Sequence, residues 1–75
     1  MDLSKLQTFL VIAREKNMTR AANQLHLTQP AVSAQLSKLE ESVGQLLFDR
    51  TPKGMLLTEA GETFRTYVEE ALSRL

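Results

Sequence analysis

Few residues of this chain are of types that could do chemistry. Ser33 and His26 supply the residue types of a nucleophile and its base, yet no nucleophile-elbow motif or orienting acid accompanies them. A chain of 75 residues also offers little pocket. Glu40-Glu41 and Glu69-Glu70 are adjacent carboxylates that diverge by about 100° on a helix, do not face each other, and read as solvated surface. His26 is the one histidine, with no Cys, Asp or Glu beside it, and reads as a turn residue. No enzyme is expected. The remaining chemistry is hydrogen bonding and positive charge: Gln29, Ser33, Ser37 and Lys38, with Arg20, Arg50 and Lys53, are donors suited to base edges or phosphates.

Composition narrows the setting. The length allows one small domain. The absence of cysteine excludes a disulfide framework, zinc fingers, iron–sulfur ligation and thiol catalysis, and no metal is expected. The longest apolar run, Phe9 to Ala13, has five members, far short of a membrane span. The start Met1-Asp2-Leu3-Ser4-Lys5 is unlike a secretion signal, so a cytoplasmic protein is expected. Nine basic and nine acidic residues cancel, so nucleic-acid binding requires placed charge rather than net charge. Residues 1–58 hold seven basic and five acidic groups and residues 59–75 two and four, a basic head and an acidic tail.

The elements that must position these groups follow from periodicity. Leu3, Leu6, Phe9, Leu10 and Ala13 share a helical face behind a cap at Asp2, and this first helix should stop near Asn17, with Asn17-Met18 as a turn. Thr19 then reads as the cap of a short second helix in which Ala22 and Leu25 point one way. His26-Leu27-Thr28 is a turn of the length that joins helices at a steep angle, and Thr28 caps a third helix with Pro30 in its first turn. Val32, Leu36, Leu39 and Val43 form its apolar stripe and Gly44 closes it. Two short apolar runs flank Thr51-Pro52-Lys53-Gly54 as a hairpin. Thr58 starts a fourth helix whose apolar positions Ala60, Phe64, Tyr67, Val68, Ala71, Leu72 and Leu75 run to the last residue. Met18 and Met55 read as core filler.

This order is a mainly α winged helix-turn-helix: three helices and a small β-hairpin wing over residues 1–58, then a long linker or dimerisation helix over 59–75. On the third helix the stripe leaves Pro30, Ser33, Ala34, Ser37, Lys38 and Glu41 on the outer arc, slim and polar enough to enter a major groove roughly 12 Å wide. The small Ala21-Ala22 pair lets helices cross closely. Arg20, Lys38, Arg50 and Lys53 are placed for phosphate or groove contact, and the amides near Gln29 add partial positive charge.

Ala21-Ala22-Asn23-Gln24-Leu25-His26-Leu27-Thr28-Gln29-Pro30-Ala31-Val32-Ser33, then Leu39-Glu40, Leu47-Phe48-Asp49-Arg50 and Leu57-Thr58-Glu59-Ala60-Gly61, resembles the amino-terminal domain of the LysR-type transcriptional regulators. The match covers essentially the whole chain. The resemblance implies a third helix that reads the major groove, a wing on the flanking backbone or minor groove, and a last helix that pairs two copies. Carried over by position, Gln29, Pro30, Ala31 and Ser33 face the groove, Thr28 is the cap that meets a phosphate, and Arg50 and Lys53 belong to the wing. Two positions depart: Ala34 stands where many members have a longer, often basic side chain, and Lys53 where arginine is frequent, giving a point charge in place of a planar fork.

The resemblance further implies a double-stranded operator, an imperfect palindrome, bound by a homodimer, with tetramers in a longer protein. No cofactor is expected in this chain; a small-molecule inducer belongs to an effector-binding domain outside it. On the fourth helix, Ala60, Phe64 and Tyr67 are expected to cover the core, while Val68, Ala71, Leu72 and Leu75 are left as apolar surface for a second copy, a role in which Phe64 and Tyr67 can share. The rival reading is a protein-interaction module docking a partner helix on that stripe.

Overall fold

A computed structural model describes residues 2–74. The chain forms α1 (Leu3–Glu15), α2 (Met18–Leu25), α3 (Gln29–Val43), β1 (Phe48–Thr51), β2 (Gly54–Leu57) and α4 (Glu59–Leu72). This is the expected winged helix-turn-helix order. Three helix starts follow their local residues. Asp2 accepts the Lys5 amide, Thr28 the Ala31 amide and Thr58 the Gly61 amide through their side-chain oxygens, each satisfying one otherwise orphaned donor. Gly44 ends α3 in the left-handed conformation, as expected.

The junction between α1 and α2 differs from expectation. Lys16, not Asn17, takes the left-handed cap, and Asn17 instead caps α2 by accepting the Arg20 amide at 2.8 Å. Thr19 therefore lies inside α2. Starting α2 at Met18 buries that methionine in the core, and the reversed Lys16 turns its carbonyl toward β2, where it accepts the Met55 amide at 2.9 Å. On α1 the buried residues are Thr8, Phe9, Ile12 and Ala13, while Leu3 is 46% exposed.

The core joins all four helices and the wing: Phe9, Ile12, Ala21, Ala22, Val32, Leu36, Leu39, Leu47, Phe48, Met55 and Val68 are buried together. Phe9 sits at its centre, its ring 5.3 Å from Phe48 and 5.1 Å, edge-on, from Phe64, distances at which aromatic pairs attract beyond their burial. A polar link reinforces this core at its edge. Thr8 Oγ1, almost wholly buried, donates to Gln35 Oε1 at 2.6 Å and ties α1 to α3.

The strands pair antiparallel, Phe48 opposite Leu57 and Arg50 opposite Met55. The wing is anchored by Glu40, whose carboxylate accepts the Leu47 amide at 2.7 Å and the Phe48 amide at 3.4 Å. Glu40 is thus half-buried and structural rather than solvated surface. It satisfies two donors left by the chain as it turns from α3 into β1. Thr58 closes the other side: Oγ1 donates to the Leu46 carbonyl at 2.7 Å and its amide to the Leu47 carbonyl at 3.0 Å.

Along α4, Val68 is 4% exposed and belongs to the chain's own core, and Phe64 and Leu72 pack half-buried against that core. These correct the expectation of a free stripe at Val68 and Leu72. Positions 60, 64, 68 and 72 keep one side of the helix on the domain, whereas Tyr67 and Ala71, each turned about 100° from its successor, face outward. Tyr67, expected to cover the core, is 66% exposed. Leu75 lies outside the described residues.

Candidate nucleic-acid interface

The outer arc of α3 is open. Thr28, Gln29, Pro30, Ala34, Ser37 and Lys38 are exposed, and Ala31 and Ser33 are half-buried at its edge. This follows from the inward stripe of Val32, Leu36 and Leu39, all buried. His26 sets the approach of α3: it holds the left-handed conformation at φ 57°, ends α2, and occupies the turn as a backbone element.

Backbone chemistry at the start of α3 is sparse. Pro30 has no amide hydrogen, and the Ala31 amide is taken by Thr28 Oγ1 at 3.2 Å. Gln29 thus carries the amide of the first three helical residues that no described residue accepts. Its exposed carboxamide stands at the same helix end, offering donor and acceptor together.

The cations divide into two groups. Arg20, though exposed, is engaged by α1: it donates to the Glu15 carbonyl at 3.0 Å and lies 3.7 Å from the Glu15 carboxylate. Among the described residues the ion pairs join Lys5 to Asp2, Arg14 and Arg20 to Glu15, and Arg65 to Glu62. Lys38, Arg50 and Lys53 take part in none of them. These three stand on α3 and the wing without an ion-pair partner among the described residues.

Strand alternation decides where the two wing cations go. Phe48 and Arg50 lie on the same face of β1, and Arg50 is opposite Met55, whose side chain is buried. Arg50 therefore leaves the hairpin on its core-facing side and reaches α3, where Nη2 donates to Ser33 Oγ at 3.1 Å. Lys53 occupies the turn, its amide donating to Thr51 Oγ1 at 3.1 Å and its side chain exposed at the tip. The structure thus brings together Gln29, Pro30, Ser33, Ala34, Ser37, Lys38 and Arg50 along one surface. Lys53 lies apart at the wing tip, and Arg20 is tied to the end of α1.

Residues 3–62 match the family model described as bacterial regulatory helix-turn-helix protein, lysR family. The chain is 50% identical over 64 residues to the HTH-type transcriptional regulator BudR of Klebsiella aerogenes, covering 85% of this chain and 45% of that protein. It is 45% identical over 73 residues to the RuBisCO operon transcriptional regulator of Acidithiobacillus ferrooxidans, covering 97% of this chain and 24% of that protein. The chain spans 20% to 45% of the length of such relatives. Among solved structures it superposes on the DNA-binding domain of BenM in complex with catB site 1 DNA, with a TM-score of 0.92 and 34% identity, covering 99% of this chain and 83% of that one. The CbnR DNA-binding domain in complex with DNA gives a TM-score of 0.91 at 34% identity, covering 97% and 84%. On its fold, its open third helix and these matches, the chain belongs to the lysR family of bacterial regulatory helix-turn-helix proteins.

Proposed function

We propose that this chain is the sequence-reading DNA-binding domain of a LysR-type transcriptional regulator acting in the cytoplasm. The observation that carries the reading is the open outer arc of α3, with Gln29, Pro30, Ala34, Ser37 and Lys38 exposed and the cations Lys38, Arg50 and Lys53 lacking acidic partners among the described residues. Small side chains let the helix enter a major groove, the Gln29 carboxamide reads a base edge, and the cations meet phosphates. DNA complexes among the structural neighbours support the same use of the fold.

Two copies bind an imperfect palindrome, paired through α4. Support for the pairing comes from Tyr67 and Ala71, which face outward on a helix whose other apolar positions pack inward. Two α3 helices related by a twofold axis meet successive major grooves about 34–36 Å or a multiple apart. Tetramer formation and inducer binding belong to the longer protein that such a domain serves.

The test is selection of binding sites from random duplexes, followed by measurement of two variants on the selected and on scrambled DNA. Gln29→Ala should cost about 1–3 kcal/mol on the selected site and relax base preference, while Lys53→Ala should weaken all duplexes alike. Absence of any enriched sequence would remove the reading.

A further inference from the structure

The hydrogen bond between wing and third helix has a fixed direction. A guanidinium has five N–H donors and no acceptor, so in the 3.1 Å contact Ser33 Oγ must accept from Arg50 Nη2. The Ser33 hydroxyl proton then points elsewhere. Among the described residues it meets no acceptor: helix serines and threonines often donate to the carbonyl four residues back, as Thr66 does to Glu62, but Ser33 does not. Arg50 is exposed, forms no ion pair among the described residues, and keeps further N–H groups free. Ser33 keeps one lone pair as well as its free O–H, and two adjacent side chains thus present free donors, one of them cationic, at the rim where α3 meets β1.

Resting on the duplex-binding reading above, we propose that Ser33 and Arg50 form a single clamp for one backbone phosphate of the duplex, in which the guanidinium holds the Ser33 hydroxyl as a donor. Two donors and a positive charge match a phosphate, which is anionic and accepts only. Placement agrees. Ser33 is half-buried at the edge of the arc beside the wing, while Gln29, Pro30, Ala34 and Ser37 are exposed. Ser33 accordingly anchors the helix, and base reading falls to Gln29. Because Arg50 stands on the wing and Ser33 on α3, one phosphate fixes the angle between the two elements.

The test is a methylphosphonate scan, in which the phosphates of a selected duplex are neutralised one at a time and binding of this chain is measured. Neutralising one position should weaken the wild type about tenfold or more, the scale of a charge-assisted hydrogen bond. Ser33→Ala and Arg50→Gln should each lose sensitivity at that same position, and the double variant should bind no more weakly than Arg50→Gln. Ser33→Thr, which keeps a hydroxyl, should retain the sensitivity. Unchanged thermal melts confirm that the variants stay folded. Losses at different positions, or additive losses, would overturn the clamp while leaving the duplex reading intact. So would a Ser33→Ala variant that keeps the wild-type scan but changes base preference, since its hydroxyl then reads a base. A wild type that binds no duplex would remove both.

Discussion

The Lys16 carbonyl and the Met55 amide meet at 2.9 Å, joining the corner between α1 and α2 to the second strand of the wing. That contact needs Gly54 beside it. Gly54 has φ 116°, and a Cβ built there would collide with the Lys16 carbonyl oxygen. Gly54→Ala should therefore cost roughly 2–4 kcal/mol, from a backbone conformation that L-residues avoid and from the displaced contact. Urea denaturation measures it; a loss below about 0.5 kcal/mol, the scale of a neutral surface change, would show that the corner and the wing adjust freely.

Glu40 stabilises the start of β1 through its acceptor oxygens. Glu40→Ala leaves the Leu47 amide without its 2.7 Å partner and should cost about 1–3 kcal/mol, whereas Glu40→Gln keeps an oxygen and should cost less. Glu41, exposed one residue on, is the control. Equal melting temperatures for Glu40→Ala and Glu41→Ala would contradict the assigned role.

Acid should loosen α1 through Asp2. The Lys5 amide at 3.0 Å, and then the Lys5 ammonium at 3.1 Å, hold the Asp2 carboxyl below the usual carboxylate range. The unfolded chain binds that proton more readily. The contribution is therefore full above the ordinary aspartate pKa of about 3.9 and is lost as pH falls through the lower folded value. Asp2→Asn keeps a capping oxygen but cannot titrate, so amide exchange in the first turn of α1 should lose its dependence on pH in that window beyond the intrinsic exchange rate. Identical acid profiles for the two proteins would refute this.

The two sides of α4 should separate under mutation. Val68→Ala removes buried volume from the core and should cost roughly 1–3 kcal/mol of stability. Tyr67→Glu alters an exposed side chain and should leave the melting temperature unchanged while shifting sedimentation toward monomer and weakening operator binding. A wild type that sediments as a monomer when bound to its operator would remove the pairing, and a Tyr67→Glu variant that stays dimeric would place the pairing surface elsewhere.

Much of this architecture was legible because it is set locally. Asp2, Thr28 and Thr58 cap their helices and Gly44 closes α3 through residues three or four positions away, a range that sequence spacing reports directly. Lys16 was not legible: its left-handed turn is stabilised by Met55, 39 residues on. Glu40 was misread for a similar reason, since the amides it accepts lie past the glycine that ends its helix. Periodicity grouped the apolar residues of α4 but could not say how far the core extends along it, so Val68 and Tyr67 exchanged places. For Arg50 a usable signal was present, because strand alternation sets it on the same face as Phe48. Only the folded chain brings Ser33 to that face.

The Thr8–Gln35 bond bears on how faithfully α3 can be aimed. A helix held only by greasy contacts can ratchet along its neighbour at modest expense, but here any slip of α3 against α1 would strand the buried Thr8 hydroxyl, at about 1–3 kcal/mol. That polar rivet behaves as an index pin. The bearing of Gln29 on the outer arc is thereby registered from inside the domain.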